Sequence, residues 1–178
     1  KQLYSEFVRT SSPSSLTLTG SNVAISGNTH GGIVCRDACN VDLTGGELSE
    51  NATNSTVDKG FAFHGGVWMG TPTQTYQLKL RNMLIVDNKS SIGFGNSTVS
   101  DNSGVTMAGN ASSTFDLGTA ASPGNNLIQG NTSSPQTTGL NVLVAAGVTV
   151  GALGNTFAPN LQGANAQGKY QLGTAPCS

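Results

Sequence analysis

The segment that decides the fold is Leu16-Thr17-Leu18-Thr19-Gly20-Ser21-Asn22-Val23-Ala24-Ile25-Ser26-Gly27-Asn28, because its parts return along the chain. Its opening motif, Leu16-Thr-Leu18-Thr-Gly20, recurs as Val41-Asp-Leu43-Thr-Gly45 and more loosely as Leu78-Lys-Leu80-Arg-Asn82. A second group of apolar residues and then an asparagine follow each copy. Such internal similarity indicates a repeat architecture.

The asparagines that close the repeats are spaced at intervals of 23, 37, 22, 21 and 24 residues. They are Asn28, Asn51, Asn88, Asn110, Asn131 and Asn155. A period of about 20–25 residues suits one coil of a β-solenoid, in which equivalent side chains stack along the axis. Stacked asparagines can hydrogen-bond through their amides. We therefore predict that these six form a structural asparagine ladder along a common edge.

Within each copy, apolar residues at positions i and i+2 predict short strands whose apolar side chains point into the coil. Glycine and asparagine between the strands tolerate the positive φ that tight corners need. Helical repeats are excluded because no 3.6-residue periodicity is present. We predict one all-β solenoid domain over residues 1–178, with about six to seven coils over residues 16–158 and a closing segment at 159–178.

Composition restricts the partners that the chain can hold. Only 10% of its residues are charged and the formal net charge is −1. Nucleic acid or an anionic membrane surface, which are bound mainly through charge, are therefore not expected partners. No apolar run reaches the roughly 18 residues that span a bilayer. We predict no membrane span.

Three cysteines are present, at positions 35, 39 and 177. Cys35 and Cys39 enclose three residues, and a local disulfide between them fits an oxidising compartment; the alternative is two buried free thiols. Cys177 has no assigned partner. No further Cys or His pair lies nearby at ligand spacing, so neither a metal site nor a cofactor is predicted.

One aromatic stretch is a candidate for ligand binding. Residues 58–69 combine Phe61, His64 and Trp68 with a charge pair, and aromatic faces beside polar groups are typical of sugar-binding surfaces. The alternative is that Phe61 and other apolar residues alternate into the core while Trp68 alone points outward. His64 and His30 each precede Gly-Gly, and we favour stacking of these histidines over metal binding.

Lys79 and Arg81 complete the candidate ligand-binding residues. Asp42 and Lys79 occupy equivalent repeat positions, so stacked coils would place them about 5 Å apart and facing outward. We interpret them as a cross-strand ion pair in preference to a catalytic pair. Hydrolysis would need two or three converging carboxylates, and the sequence does not demand such a cluster.

Three segments carry a family resemblance: residues 21–28, residues 115–126 and the pattern Gly154-Asn-Thr-Phe157 with Pro159-Asn-Leu-Gln-Gly163. They resemble the pectate-lyase-like superfamily and, more narrowly, secreted bacterial β-helix proteins of uncharacterised function. The resemblance covers residues 16–170 and implies a right-handed parallel β-helix. The superfamily includes polysaccharide lyases, hydrolases and epimerases, but the epimerase-like Asp-Pro-His-Asp motif is absent.

We therefore expect a structural or adhesive protein that is secreted or held at the cell surface. Self-association end to end, or docking to a surface partner protein, is the expected mode of assembly. The alternative is a polysaccharide-binding module or a carbohydrate-active enzyme of the lyase or hydrolase type.

Overall fold

The computed structural model describes residues 6–10, 16–29, 31–51, 65–69, 71, 73–90, 104–133, 140–142, 148–158 and 169–172. These residues form strands, turns and bends, and none of them is helical. The strands within these ranges are β1 (Glu6–Thr10), β2 (Leu16–Ser26), β3 (Gly31–Cys35), β4 (Cys39–Ser49), β5 (Val67–Met69), β6 (Tyr76–Val86), β7 (Lys89–Ser90), β8 (Val105–Met107), β9 (Thr114–Asp116), β10 (Leu127–Gln129), β11 (Thr132–Ser133), β12 (Leu140–Val142), β13 (Thr149–Ala152), β14 (Thr156–Ala158) and β15 (Lys169–Leu172).

All of the strand pairs among the described residues are parallel, and the chain visits the sheets in turn. The first sheet has the order β1-β3-β5-β8-β12. In the second sheet β2 pairs with β4 and β4 with β6, after which β6 pairs with β9 through its first half and with β10 through its second. Strands β13, β14 and β15 extend this sheet, and β7 pairs with β11 separately.

The pairing register reproduces the sequence repeat. Leu18 pairs with Val41, Val41 with Leu78, and Leu78 with Phe115. The prediction of an all-β fold built from parallel strands is therefore confirmed. Strands β1 and β15 add paired residues on either side of the range 16–158 that the repeat indicated.

Corners with positive φ divide the long strands into two segments. In β6, Tyr76, Leu78 and Leu80 are buried; Asn82 then adopts a φ of 54°, and the buried positions resume at Met83. Asn22 has a φ of 53° at the corresponding point of β2. Asparagine tolerates this left-handed conformation better than most residues, which explains its recurrence at the corner.

A second corner directly precedes four of the repeat asparagines. The residues before them have φ between 52° and 67°, and they are Gly27, Glu50, Asp87 and Gly130. The corner amides donate to the carbonyl oxygens of the next strand in the stack, as from Glu50 to Val86 and from Asp87 to Gln129. The backbone at this corner is therefore fixed by hydrogen bonds to the neighbouring strand.

A third corner carries the disulfide. Cys35 at the end of β3 is bonded to Cys39 at the start of β4, with 6.1 Å between their Cα atoms, so the bond joins the first sheet to the second. The predicted disulfide is confirmed. The buried Tyr76 is the register partner of Cys39; its hydroxyl donates to the Cys35 carbonyl at 3.2 Å and accepts from the Thr71 amide at 3.3 Å.

Removing the Tyr76 hydroxyl should change stability in a pH-dependent way. Burial raises the pKa of this phenol above its usual 10.0. The folded state therefore holds the proton more tightly, and the resulting stability is present below pH 10 and lost as the pH rises towards the raised pKa. We expect Tyr76→Phe to cost about 1 kcal/mol near neutral pH. Its unfolding free energy should fall less steeply than that of the wild type above pH 10, as measured by urea denaturation; parallel pH curves for the two proteins would contradict this.

Candidate functional site

The outward face of the second sheet carries two polar rows that cross its strands. Alternation along each strand brings these side chains out, and the parallel register aligns them about 4.8 Å apart from strand to strand. The first row is Thr17, Asn40, Gln77 and Thr114, and the second is Thr19, Asp42, Lys79 and Asp116.

An open groove of about 390 Å³ lies over these rows. Its lining consists of both rows except Thr17, together with Leu78, whose side chain is buried in the core. Hydroxyl, amide, carboxylate and ammonium groups thus surround the groove and offer both hydrogen-bond donors and acceptors. We call this feature the polar groove.

Lys79 lies in the polar groove and pairs with Asp42. Its Nζ donates to Asp42 Oδ2 at 3.0 Å, and the two side chains are 46% and 37% exposed. The residues are register partners on β6 and β4. This is the outward cross-strand ion pair that the repeat positions predicted.

Arg81 is buried, so the structure corrects its assignment as a candidate ligand-binding residue. Its Nη2 donates to both carboxylate oxygens of Asp116 at 2.7 Å, and its Nε donates to Ser122 Oγ at 3.1 Å. Its Nη1 donates to the Asp116 and Leu80 carbonyls at 2.9 Å. Ser122 belongs to the segment 117–126, between β9 and β10. The hydrogen bond from Arg81 to Ser122 therefore links this segment to β6.

Arg81→Met should therefore destabilise the fold by about 2 kcal/mol. Loss of one partner of a buried ion pair commonly costs more, but Asp116 is 35% exposed and water would solvate part of its charge. The control is Lys79→Met, which breaks the exposed pair with Asp42 and should cost at most about 0.5 kcal/mol. Urea denaturation of both variants measures the difference, and equal losses would contradict the assigned role of Arg81.

The structure does not place the remaining candidate residues beside Lys79 in the polar groove. Trp68 lies on β5 of the first sheet, where it pairs with Val34 and Thr106, and the Arg36 guanidinium lies 5.9 Å from its ring centroid. Trp68 does not line the polar groove. Phe61 and His64 lie outside the described residues. The predicted ligand-binding set is therefore not assembled in the described part of the chain.

Four of the repeat asparagines form a hydrogen-bonded row. The Nδ2 atoms of Asn28, Asn51 and Asn88 each donate at 2.9 Å to the Oδ1 of the next member, and Asn131 is the last member within the described residues. The backbone amide of each donor residue also reaches the same oxygen. The last three members are fully buried, so this row, which we call the asparagine row, is structural.

Two predicted ladder members lie elsewhere, so the expectation of one six-membered ladder is wrong. Asn155 accepts at 2.8 Å from Asn126 Nδ2 in a separate row at the first corner. Asn110 is partly exposed, and its Nδ2 donates to Thr75 Oγ1 at 2.8 Å. The segment 117–126 lies between β9 and β10 and adds residues between successive corners. Asparagines at regular intervals in the sequence therefore fall at different corners of the structure.

Sequence reasoning missed Asn126, although a signal for it exists. It follows Asn125, whose φ is 51°, just as Asn51 follows Glu50 and Asn155 follows Gly154 at positive φ. The signal in the sequence is Asn125, a residue type that tolerates positive φ. Gly109 before Asn110 gives the same signal without adopting positive φ, so the signal alone does not identify a stacked asparagine.

The polar groove is suited to binding through hydrogen bonds. Both of its carboxylates, Asp42 and Asp116, are engaged by cationic side chains.

Within the described ranges, no cluster of three or more His, Cys, Asp or Glu residues could hold a metal ion. No helix in those ranges has the length and apolar character to cross a membrane. A scan of protein-family models and searches of curated proteins and of solved structures find no match to this chain.

Proposed function

We propose that the chain winds as a right-handed parallel β-helix of the pectate-lyase-like kind. Three observations support this proposal: the parallel sheets are visited in turn, the corners recur at matching register positions, and polar rows run from coil to coil. Right-handed crossover is the form that about 98% of parallel β connections take.

We further propose that this β-helix is a structural and adhesive protein outside the cell, and that it holds polysaccharide in the polar groove. The observation that carries the proposal is the groove itself, in which the amide or hydroxyl groups of Asn40, Gln77 and Thr114 lie in register on three adjacent strands and Thr19 adds a hydroxyl from a fourth. Polysaccharides are repeating polyols, so a repeating array of donors and acceptors matches their chemistry. The Cys35–Cys39 disulfide supports a location in an oxidising compartment.

The paired charges favour binding over catalysis at this site. A glycoside hydrolase needs one carboxyl group to protonate the leaving oxygen and another to attack the sugar or activate water. In the polar groove, Asp42 is bound to Lys79 at 3.0 Å, and Asp116 is bound by both Nη2 contacts of Arg81. Either carboxylate would have to break its ion pair before it could act.

Binding by the polar groove is tested with a panel of soluble and insoluble polysaccharides. Gln77 is exposed inside the groove. Gln77→Ala should weaken polysaccharide binding about five- to tenfold, as expected for one or two lost hydrogen bonds. Thr44 is exposed on β4 outside the groove, so Thr44→Ala is the matched control and should bind as the wild type does. If the wild type binds no polysaccharide, the proposed function is overturned.

A second observation favours self-association as the adhesive mechanism. Among the described strands, β2 pairs on one side only, with β4, and the asparagine row begins at Asn28 beside this edge. The backbone groups at the outer edge of a strand can pair with a strand of another chain. We propose that a second copy, or a surface partner protein, docks here. Sedimentation velocity at increasing concentration should show growing oligomers, and monomers throughout would overturn self-association.

A further inference from the structure

We infer that the polar groove takes a neutral polysaccharide, recognised through its hydroxyl groups, and that the sugar chain runs across the strands. This inference rests on the proposed function, since it specifies the ligand of the same groove. It assigns both the class of sugar and its direction on the sheet.

The charges of the groove favour a neutral ligand over an acidic one. Its cation, Lys79, is already paired with Asp42, and Asp116 on the other side of Lys79 is paired with Arg81. A uronic acid carboxylate approaching Lys79 would enter between two carboxylates on the neighbouring strands. Repulsion from both would offset much of its attraction to the ammonium group.

The uncharged lining matches a polyol. Asn40 and Gln77 each present an amide donor and acceptor, and Thr19 and Thr114 present hydroxyls, which can do both. Sugar hydroxyls have the same dual capacity, so each can satisfy a groove residue without a charged partner. The lysine ammonium has three hydrogens, and Asp42 accepts from it through a single oxygen, which leaves donors for a hydroxyl.

The shape of the groove sets the direction of the chain. Four strands contribute to it, from β2 to β9, which spans about 14 Å at the spacing of a β-sheet. Along a strand it covers three residues, as in Gln77, Leu78 and Lys79, which is about 7 Å between the outer two. The longer axis therefore lies across the strands, where successive sugars meet the amides of Asn40 and Gln77 and the hydroxyl of Thr114 in turn.

The test compares neutral and uronic acid polymers of the same linkage by isothermal titration calorimetry at low and high salt. We expect the neutral chain to bind, with less than about a twofold change between the salt conditions, since no net charge is neutralised. The uronic acid polymer should bind at least about tenfold more weakly. Salt-sensitive preference of the wild type for uronic acid polymers would overturn the inference and leave the proposed function intact.

A charge variant makes the test sharper. Asp42→Asn keeps the side-chain shape but leaves Lys79 without its carboxylate partner, so uronic acid polymers should bind several-fold more tightly and with greater salt dependence. Asp42→Asn with Lys79→Gln removes both charges and should leave neutral binding within about threefold of the wild type. Loss of neutral binding in a folded double variant would show that the charged pair, and not the uncharged lining, recognises the ligand, and would overturn that part of the inference. Failure of the wild type to bind any polysaccharide would instead remove the proposed function.

Discussion

Replacing Asn88 with alanine is expected to lower the free energy of unfolding by about 4 kcal/mol. Asn88 is fully buried in the middle of the asparagine row. Its Oδ1 accepts from the amide and side chain of Asn51, and its Nδ2 donates to Leu48 O and Asn131 Oδ1. Alanine would leave all of these buried groups without their partner, and the cost of each adds to the loss.

The matched control for Asn88 is Asn110, because both belong to the same sequence repeat. Asn110 is partly exposed and its Nδ2 donates to Thr75 Oγ1, so Asn110→Ala should cost about 1 kcal/mol or less. Urea denaturation monitored by circular dichroism gives both values. A loss at Asn88 no larger than that at Asn110 would contradict the structural role of the asparagine row.

Replacing Gly32 with alanine is expected to cost about 3 kcal/mol. A Cβ at Gly32 would lie 2.5 Å from the Gly66 carbonyl oxygen and 3.1 Å from Asn51 Nδ2. Both neighbours are held in place, the first by its hydrogen bond from Ile33 N and the second by the asparagine row. The extra methyl group can be accommodated only if Gly66 and Asn51 move away from Gly32.

Gly27→Ala separates this steric effect from backbone strain. Gly27 has a φ of 67°, but a Cβ there would meet no atom within 4 Å. Its replacement should therefore cost only the strain of a left-handed alanine, about 1 kcal/mol. Thermal or urea unfolding compares the two variants. If Gly27→Ala lowered the free energy of unfolding more than Gly32→Ala does, close packing would not explain why position 32 requires glycine.

The repeat could be recognised from the sequence because it depends on local chemistry. Apolar residues alternate at Leu78 and Leu80, and residues tolerant of positive φ stand at corners such as Asn82. The need for Gly32 could not be derived, although the sequence showed Gly-Gly at the same place in two repeats. Its cause is the close approach of the Gly66 carbonyl oxygen and Asn51, which requires knowing which strands stack on one another.

The polar groove was predictable only in part. The equivalent positions of Asp42 and Lys79 in the repeat predicted their ion pair, because stacked parallel strands bring equivalent positions into register. Arg81 lies two residues beyond Lys79, and the sequence made it a candidate ligand-binding residue. Its burial depends on the segment 117–126, where Ser122 accepts from Arg81, and no local pattern shows where that segment lies.

Cysteine cross-linking between β2 and β4 tests the parallel stacking most directly. In a Cys177→Ser background, the pairs Thr17→Cys with Asn40→Cys and Ala24→Cys with Glu47→Cys join register partners. The crossed pairs, residue 17 with 47 and residue 24 with 40, would be neighbours only if the strands ran antiparallel. Mass spectrometry after mild oxidation should find the first two cross-links and neither crossed one. Cross-links in the crossed pairs alone would contradict the stacked parallel strands on which the asparagine row and the polar groove depend.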